Sequence, residues 1–344
     1  MKSIIIDDKI EKIQSMQVFL HALSKEANFT SPVYHVLLKD KSALVLKMTE
    51  EVYVLPQLII ELAKIIGEVA AYKFSEKTGI NLVPKTQLVT YKDNVSSSQE
   101  FISNEIDRNK YSHLLSSDNS NIELLKMFWF IVGQWDAHTG NVLFRTEQQP
   151  IAIDNANIAN LQKVNYYGGH QFIRLFYTDK TNEGSIDHPI LIKGSGKKVL
   201  AQLYENFSEE LPDYYVQVYN KLAQVDTSFS YFVEDNRVWR NFCTPDSYFT
   251  KNFSKDTLEK LKLIKDISHQ TFAHLIEKCT NSVSMKVLDE LKVSRIEVST
   301  QLTQHFAQIE IGIETRYKLA ENYLNSQELS EVAVDLNGTS DINF

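Results

Sequence analysis

The residues of this chain whose types and spacing suit chemistry are Asp136, Asn141 and Asp154. Asp136 and Asn141 stand five apart in Asp136-Ala137-His138-Thr139-Gly140-Asn141. Asp154 follows two short apolar runs, Val142-Leu143-Phe144 and Ile151-Ala152-Ile153, joined by the polar stretch Arg145 to Gln149. Moving a phosphoryl group off a nucleotide needs a divalent metal on the phosphate oxygens, and hard oxygen ligands suit Mg²⁺. It also needs a carboxylate that orients an acceptor hydroxyl and takes its proton. An Asp and an Asn at this spacing on a tight loop can flank one acceptor–phosphate–metal centre. A second Asp returned by a hairpin adds the stronger metal ligand. The spacing alone is common in proteins. The context adds weight, because an apolar segment precedes it, a hairpin follows it, and Asp154 ends a buried-type strand. The plainer alternative makes Asp136 a turn cap and Asp154 a solvated strand end.

These residues need elements to hold them. Ile122 to Trp135 (IELLKMFWFIVGQW) is apolar on every side and predicts a buried helix leading into the loop. Upstream, apolar residues at Ile10, Ile13, Met16, Phe19, Leu20 and Leu23 predict a helix over 8–27. Val33–Leu38 and Ala43–Met48, separated by Lys39-Asp40-Lys41-Ser42, predict a strand pair. Leu58, Leu62, Ile65, Val69 and Tyr72 mark a helix over 56–78, with Gly79 placed to end it. Strands are expected at 87–91 and 99–102, with a turn at Ser96 to Ser98. From about residue 197 the chain reads as mainly helical, and Leu288, Leu291, Val298, Leu302, Phe306, Ile309 and Ile313 form one long apolar stripe.

The arrangement catalytic Asp, four residues, metal Asn, hairpin, metal Asp is that of the protein-kinase template. The stretch GQWDAHTGNVLF…PIAIDNANI resembles the catalytic and metal loops of the atypical kinases, a group with phosphatidylinositol 3-/4-kinase-like proteins, HipA-type bacterial kinases and secretory-pathway kinases. The resemblance implies Asp136 as catalytic Asp, Asn141 as metal ligand and Asp154 as main metal ligand. His138 matches the family's His, with a role at phosphate or metal or in bonding the loop backbone. Ala137 departs from the usual Arg, so whatever that Arg anchors must be held otherwise. KIIGEVAAYKFSEKTGINLVPKTQLV is similar to a helix and strand of bacterial phosphatidylinositol-kinase-like proteins, which makes Glu68 the helix glutamate and Lys47 its lysine partner. Glu61, seven residues away on nearly the same helix face, is the rival. SSSQEFIS resembles the family's hinge, with Glu100, Phe101 and Ile102 offering backbone to adenine. The implied fold is α+β and two-lobed. A β-rich N-lobe spans 1–102, a mainly helical C-lobe with a helical extension spans 103–325, and a flexible tail spans 326–344. The implied cofactors are ATP and Mg²⁺ or Mn²⁺. The stretch Asn28-Phe29-Thr30-Ser31-Pro32-Val33 has no glycine where a kinase carries its phosphate loop. That keeps transfer of AMP, or a non-catalytic binding role, beside phosphoryl transfer.

Composition narrows the partners. The chain has 344 residues, enough for two lobes, and a net charge of -8, which argues against a general nucleic-acid binder. The same charge disfavours unaided docking on anionic membrane and favours a protein acceptor, with an inositol phosphate or lipid as the other option. Cys243 and Cys279 have no CxxC partner and read as buried free thiols in a reducing compartment. No apolar run is long enough for a transmembrane helix, and the N-terminus lacks a secretory pattern. The expected location is cytoplasmic, or a host cell if the chain is an injected bacterial effector. Gly194-Ser195-Gly196-Lys197-Lys198 lacks the spacer of a nucleotide P-loop and reads as a flexible loop. Tyr166-Tyr167-Gly168-Gly169-His170 lies where a kinase has its activation segment.

Overall fold

The computed structural model describes residues 4–22, 32–103, 114, 120–134, 141–159, 169–170, 190–193, 230–233 and 255–338. Its first part is a six-stranded sheet in the order β1-β5-β6-β4-β3-β2. These strands are β1 (Ile4–Ile5), β2 (Ile10–Ser15), β3 (Val33–Leu38), β4 (Ala43–Met48), β5 (Thr86–Tyr91) and β6 (Asn94–Glu100). All neighbours run antiparallel except β1 and β5. Helix α1 (Met16–Ala22) follows β2, and α2 (Leu55–Lys77) connects β4 to β5. A small core on one sheet face joins Ile6, Val36, Leu46, Val89 and Tyr91. On the other side Leu88 and Val95 join α2 in the main core.

The helix expected over 8–27 is mostly not formed. Asp7–Lys9 form one 3₁₀ turn, residues 10–15 are strand β2, and only Met16–Ala22 is α-helical, while 23–27 lie outside the described residues. The three-residue step from Ile10 to Ile13 imitates a helical face. In a regular strand it would put the two side chains on opposite faces. A register shift between Ile10 and Lys12 in the pairing with β3 absorbs the extra residue. Both isoleucines then pack on the same small core. The turn expected at Ser96 to Ser98 is also displaced. Those serines lie in the middle of β6, with Ser96 and Ser97 buried. The reversal occurs at Lys92 and Asp93, both at positive φ, the backbone that a two-residue hairpin requires. Small side chains suit this central strand, where α2 packs across β5 and β6.

Helix α3 (Ser120–Val132) buries Ile122, Leu125 and every residue from Met127 to Val132. The hairpin β7 (Val142–Thr146) and β8 (Gln149–Ala152) follows, then a 3₁₀ turn at Asn155–Ala159. Short strands β9 (Gly169–His170), β10 (Ile190–Lys193) and β11 (Ser230–Val233) form a separate sheet in the order β10-β11-β9. The C-terminal part is α4 (Lys255–Ser282), α5 (Met285–Leu291) and α6 (Arg295–Gly338). The apolar stripe of α6 is buried at Val298, Leu302, Phe306, Ile309 and Ile313, packed with α4. Helix α6 continues past Ser326 to Gly338, where Gln327, Glu328, Leu329, Glu331 and Ala333 favour helix and no proline intervenes. The chain is thus α+β, with a β-rich first part and a helical C-terminal region. Among the described residues, no helix is long and apolar enough to cross a membrane.

Candidate active site

Lys47 lies on β4 between Val33 of β3 and Ser97 of β6. Its ammonium meets two carboxylates. It donates to Glu68 Oε1 from α2 and, at 2.7 Å, to Asp154 Oδ1 from beyond β8. The Glu68 side chain is 1% exposed, that of Lys47 16% and that of Asp154 47%. Burial by itself lowers the Lys47 pKa, but Asp154 and Glu68 outweigh it and hold the ammonium well above the ordinary lysine value. Burial also pushes the Glu68 carboxyl up, against the pull of Lys47. Among the described residues, Glu68 Oε2 is buried with no hydrogen-bond partner. The rival Glu61 is engaged elsewhere. It pairs with Lys64 at 2.6 Å and accepts the Glu50 N–H at 3.2 Å.

The backbone at Asp154 is left-handed, with φ of +56°. A non-glycine residue keeps that conformation only where its surroundings over-determine it. Here they do. Ala152 N–H donates to the Leu82 carbonyl at 2.7 Å, and Ile153 N–H to the Asn141 carbonyl at 2.9 Å. Gln134 Nε2 donates to the Asp154 carbonyl at 2.6 Å. Buried Asn155 accepts from Trp129 Nε1 at 3.1 Å and donates to the Ala152 carbonyl at 3.2 Å. The Ile153–Asn141 bond brings the two expected metal residues onto adjoining backbone. Among the described residues, no group of three or more His, Cys, Asp or Glu could hold a metal. Asn141 and Asp154 are oxygen donors, and two such donors fit a Mg²⁺ or Mn²⁺ that takes its other ligands from phosphate and water.

Asp136 and His138 lie outside the described residues, as do Asn28 to Ser31 and Gly194 to Lys198. Of the Tyr166–His170 stretch, Gly169 and His170 are described, as strand β9. At the expected hinge, Glu100 N–H donates to the Lys85 carbonyl and Phe101 N–H to the Ala43 carbonyl. Those two donors are therefore committed within the protein, and Ile102 carries the remaining N–H of the three. The Glu100 carboxylate pairs with Arg145 at 2.8 Å. Next to this segment, the Phe19 ring of α1 stacks on His35 with centroids 3.8 Å apart, and Phe101 meets both rings edge-on. His35 pairs with Val45 across the sheet, two positions from Lys47, so it shares the face of Lys47. Burial, helped by Lys12, lowers the His35 pKa and so favours the neutral ring.

Gln134, Asn155, Trp129, Phe19 and His35 were not legible as site residues. Gln134 did carry a signal, as a lone amide closing a mainly apolar run.

No family model matches this chain, and no curated protein matches it. Among solved structures, it is similar to the Helicobacter pylori proinflammatory kinase CtkA, at 11% identity and a TM-score of 0.38, over 92% of this chain and 98% of that one. So loose a likeness assigns no function, and the site's own geometry has to carry the functional reading.

Proposed function

We propose that the chain is an ATP-dependent phosphotransferase that moves the γ-phosphoryl group to a hydroxyl, with Mg²⁺ or Mn²⁺. The observation that carries this reading is the meeting of Lys47, Glu68 and Asp154 from three separate elements. A lysine held extended by a helix glutamate, beside an Asp at a hairpin exit, is what gripping α- and β-phosphates next to a metal requires. Lys47 binds the phosphates, and Glu68 keeps it aimed. Asn141 and Asp154 would hold the metal, which neutralises charge on the phosphate oxygens when bound. Asp136 is the base. The acceptor oxygen bonds to the γ-phosphorus, the bond from that phosphorus to its bridging oxygen breaks, ADP leaves, and the acceptor proton passes to Asp136. The acidic balance of the chain favours a protein hydroxyl over a lipid headgroup.

The test is incubation with α- or γ-labelled ATP, with Mg²⁺ or Mn²⁺, and with protein, inositol phosphate or lipid acceptors. Label from the γ-position alone supports this reading. Label from the α-position means AMP transfer, and no label with retained ATP binding means a binding module. Asp136→Asn should keep ATP affinity and lose turnover by about 10²–10⁴-fold.

A further inference from the structure

Helix α3 ends in a way that aims Gln134 at the metal loop. Gly133, at φ +74°, takes the left-handed position that closes the helix, and the N–H groups of Gly133 and Gln134 both donate to the Trp129 carbonyl at 2.9 Å. Gln134 leaves the helix there, is 3% exposed, and reaches the Asp154 carbonyl. A carbonyl only accepts, so the amide nitrogen must face it. Among the described residues, the other end of the amide, Oε1, is buried without a hydrogen-bond partner. Leaving an acceptor unmet is costly in a protein interior, and the bond to Asp154 is what holds the amide in place.

The helix end is itself held from far away in sequence. Arg316 of α6 is 7% exposed, and its Nε donates to the Ile131 carbonyl at 3.0 Å. Its guanidinium packs closely against two glycines. A Cβ at Gly133 would come within 2.5 Å of it, and one at Gly312 within 3.0 Å. Burial pushes the Arg316 pKa down to about 9, so the group is still a cation at neutral pH. Among the described residues no carboxylate pairs with it. The charge it faces is the negative end of the α3 dipole. Removing the guanidinium would therefore loosen the last turn of α3, from which Gln134 projects.

We propose that Gln134 is a positioning residue for Asp154 and that Arg316 positions Gln134, which makes the C-terminal helix part of the metal site. This rests on the metal role proposed for Asp154. Neither side chain touches the reacting atoms. They hold a strained backbone whose carboxylate does. Outer partners of metal ligands commonly contribute 10- to 100-fold in metal affinity.

The experiment measures ATP affinity of the full chain by calorimetry, once with Mn²⁺ and once with EDTA, and takes the ratio. Asp154→Ala should bring the ratio close to one. Q134M, which keeps length but loses the donor, should lower it by about 10-fold or more while leaving the EDTA affinity unchanged. R316M should lower it in the same sense, and the Q134M/R316M double variant should lose less than the product of the single effects. R316K, which keeps a cation at the helix end, should restore part of the loss. A Q134M protein with an unchanged ratio and a lowered melting temperature overturns the proposal, since Gln134 would then only hold the fold. Multiplicative single effects overturn the link to Arg316, and Q134M tests the rest should R316M not fold. A wild-type ratio near one overturns the metal role of Asp154 and this proposal with it.

Discussion

Lys47 Nζ bonds Asp154 Oδ1 at 2.7 Å and Glu68 Oε1 at the same time, joining β4, α2 and the exit of β8 through one ammonium. Removing one partner of a buried pair leaves the other with an uncompensated charge, at a cost of about 3–5 kcal/mol. Lys47→Ala, which strands the buried Glu68 carboxylate, should destabilise the fold strongly, Glu68→Ala should cost less because Asp154 still pairs with Lys47, and the double variant should be more stable than the sum of the two implies. Denaturant melts of the four proteins measure this. Lys41, paired with Glu11 at the surface, should change stability by less than about 1 kcal/mol on conversion to Ala. Glu61→Ala should leave turnover much less affected than Glu68→Ala, since Glu61 faces Lys64 and Glu50. The reverse order would show that the helix glutamate is Glu61.

Two protein oxygens make a weak metal site by themselves. ATP with Mg²⁺ should therefore raise the melting temperature more than ATP or Mg²⁺ alone. Asp154→Ala should abolish the metal-dependent part. Equal shifts with and without metal would count against Asn141 and Asp154 as ligands.

The Phe19 ring rests on His35, on the sheet face that carries Lys47 and beside Phe101. A purine whose phosphates reach Lys47 would stack at that level. Phe19 then competes with the base. Phe19→Ala should tighten ATP binding by about 2- to 10-fold, the worth of one stacked aromatic pair. Binding of free triphosphate should not change. Weaker ATP binding in Phe19→Ala would instead make Phe19 a wall of the base site.

Burial pushes the Cys279 thiol up to about 12, and the Tyr317 hydroxyl likewise up to about 12. An acid whose pKa is raised by folding stays protonated in the native chain and ionises in the unfolded one. Stability is then lost as pH rises above the unfolded value, from about 8.5 for the thiol and about 10 for the phenol. The unfolding free energy from denaturant melts should fall from about pH 9 upward, by about 1.4 kcal/mol per pH unit for each proton involved. Cys279→Ala should flatten the first part of that slope, whatever it does to stability at pH 7. An unchanged slope would remove Cys279 from the account.

The apolar alternation of Val33–Leu38 and Ala43–Met48, the apolar face of 56–78 and the mainly apolar run at 122–132 are local patterns, and the strands and helices stand where those patterns lie. The Asp136–Asn141–Asp154 spacing is local in the same way. The choice of Lys47 and Glu68 rests instead on resemblance to a kinase-family helix and strand, and it leaves Glu61, on nearly the same helix face, as the rival. Other features depend on what a segment meets in space. The strand at 10–15 exists because β3 pairs with it and a bulge realigns Ile10 and Ile13, whereas the residues alone carry a helical period. Ser96 to Ser98 have turn-like composition, yet two flanking strands claim their backbone hydrogen bonds. Gln134 reaches Asp154 across twenty residues, and Arg316 reaches Ile131 across 185. Such contacts leave no periodicity. An amide at a helix end and an arginine on a long polar helix look like surface residues until packing buries them. Once buried, each must find an acceptor, and that requirement ties the C-terminal helix to the candidate site.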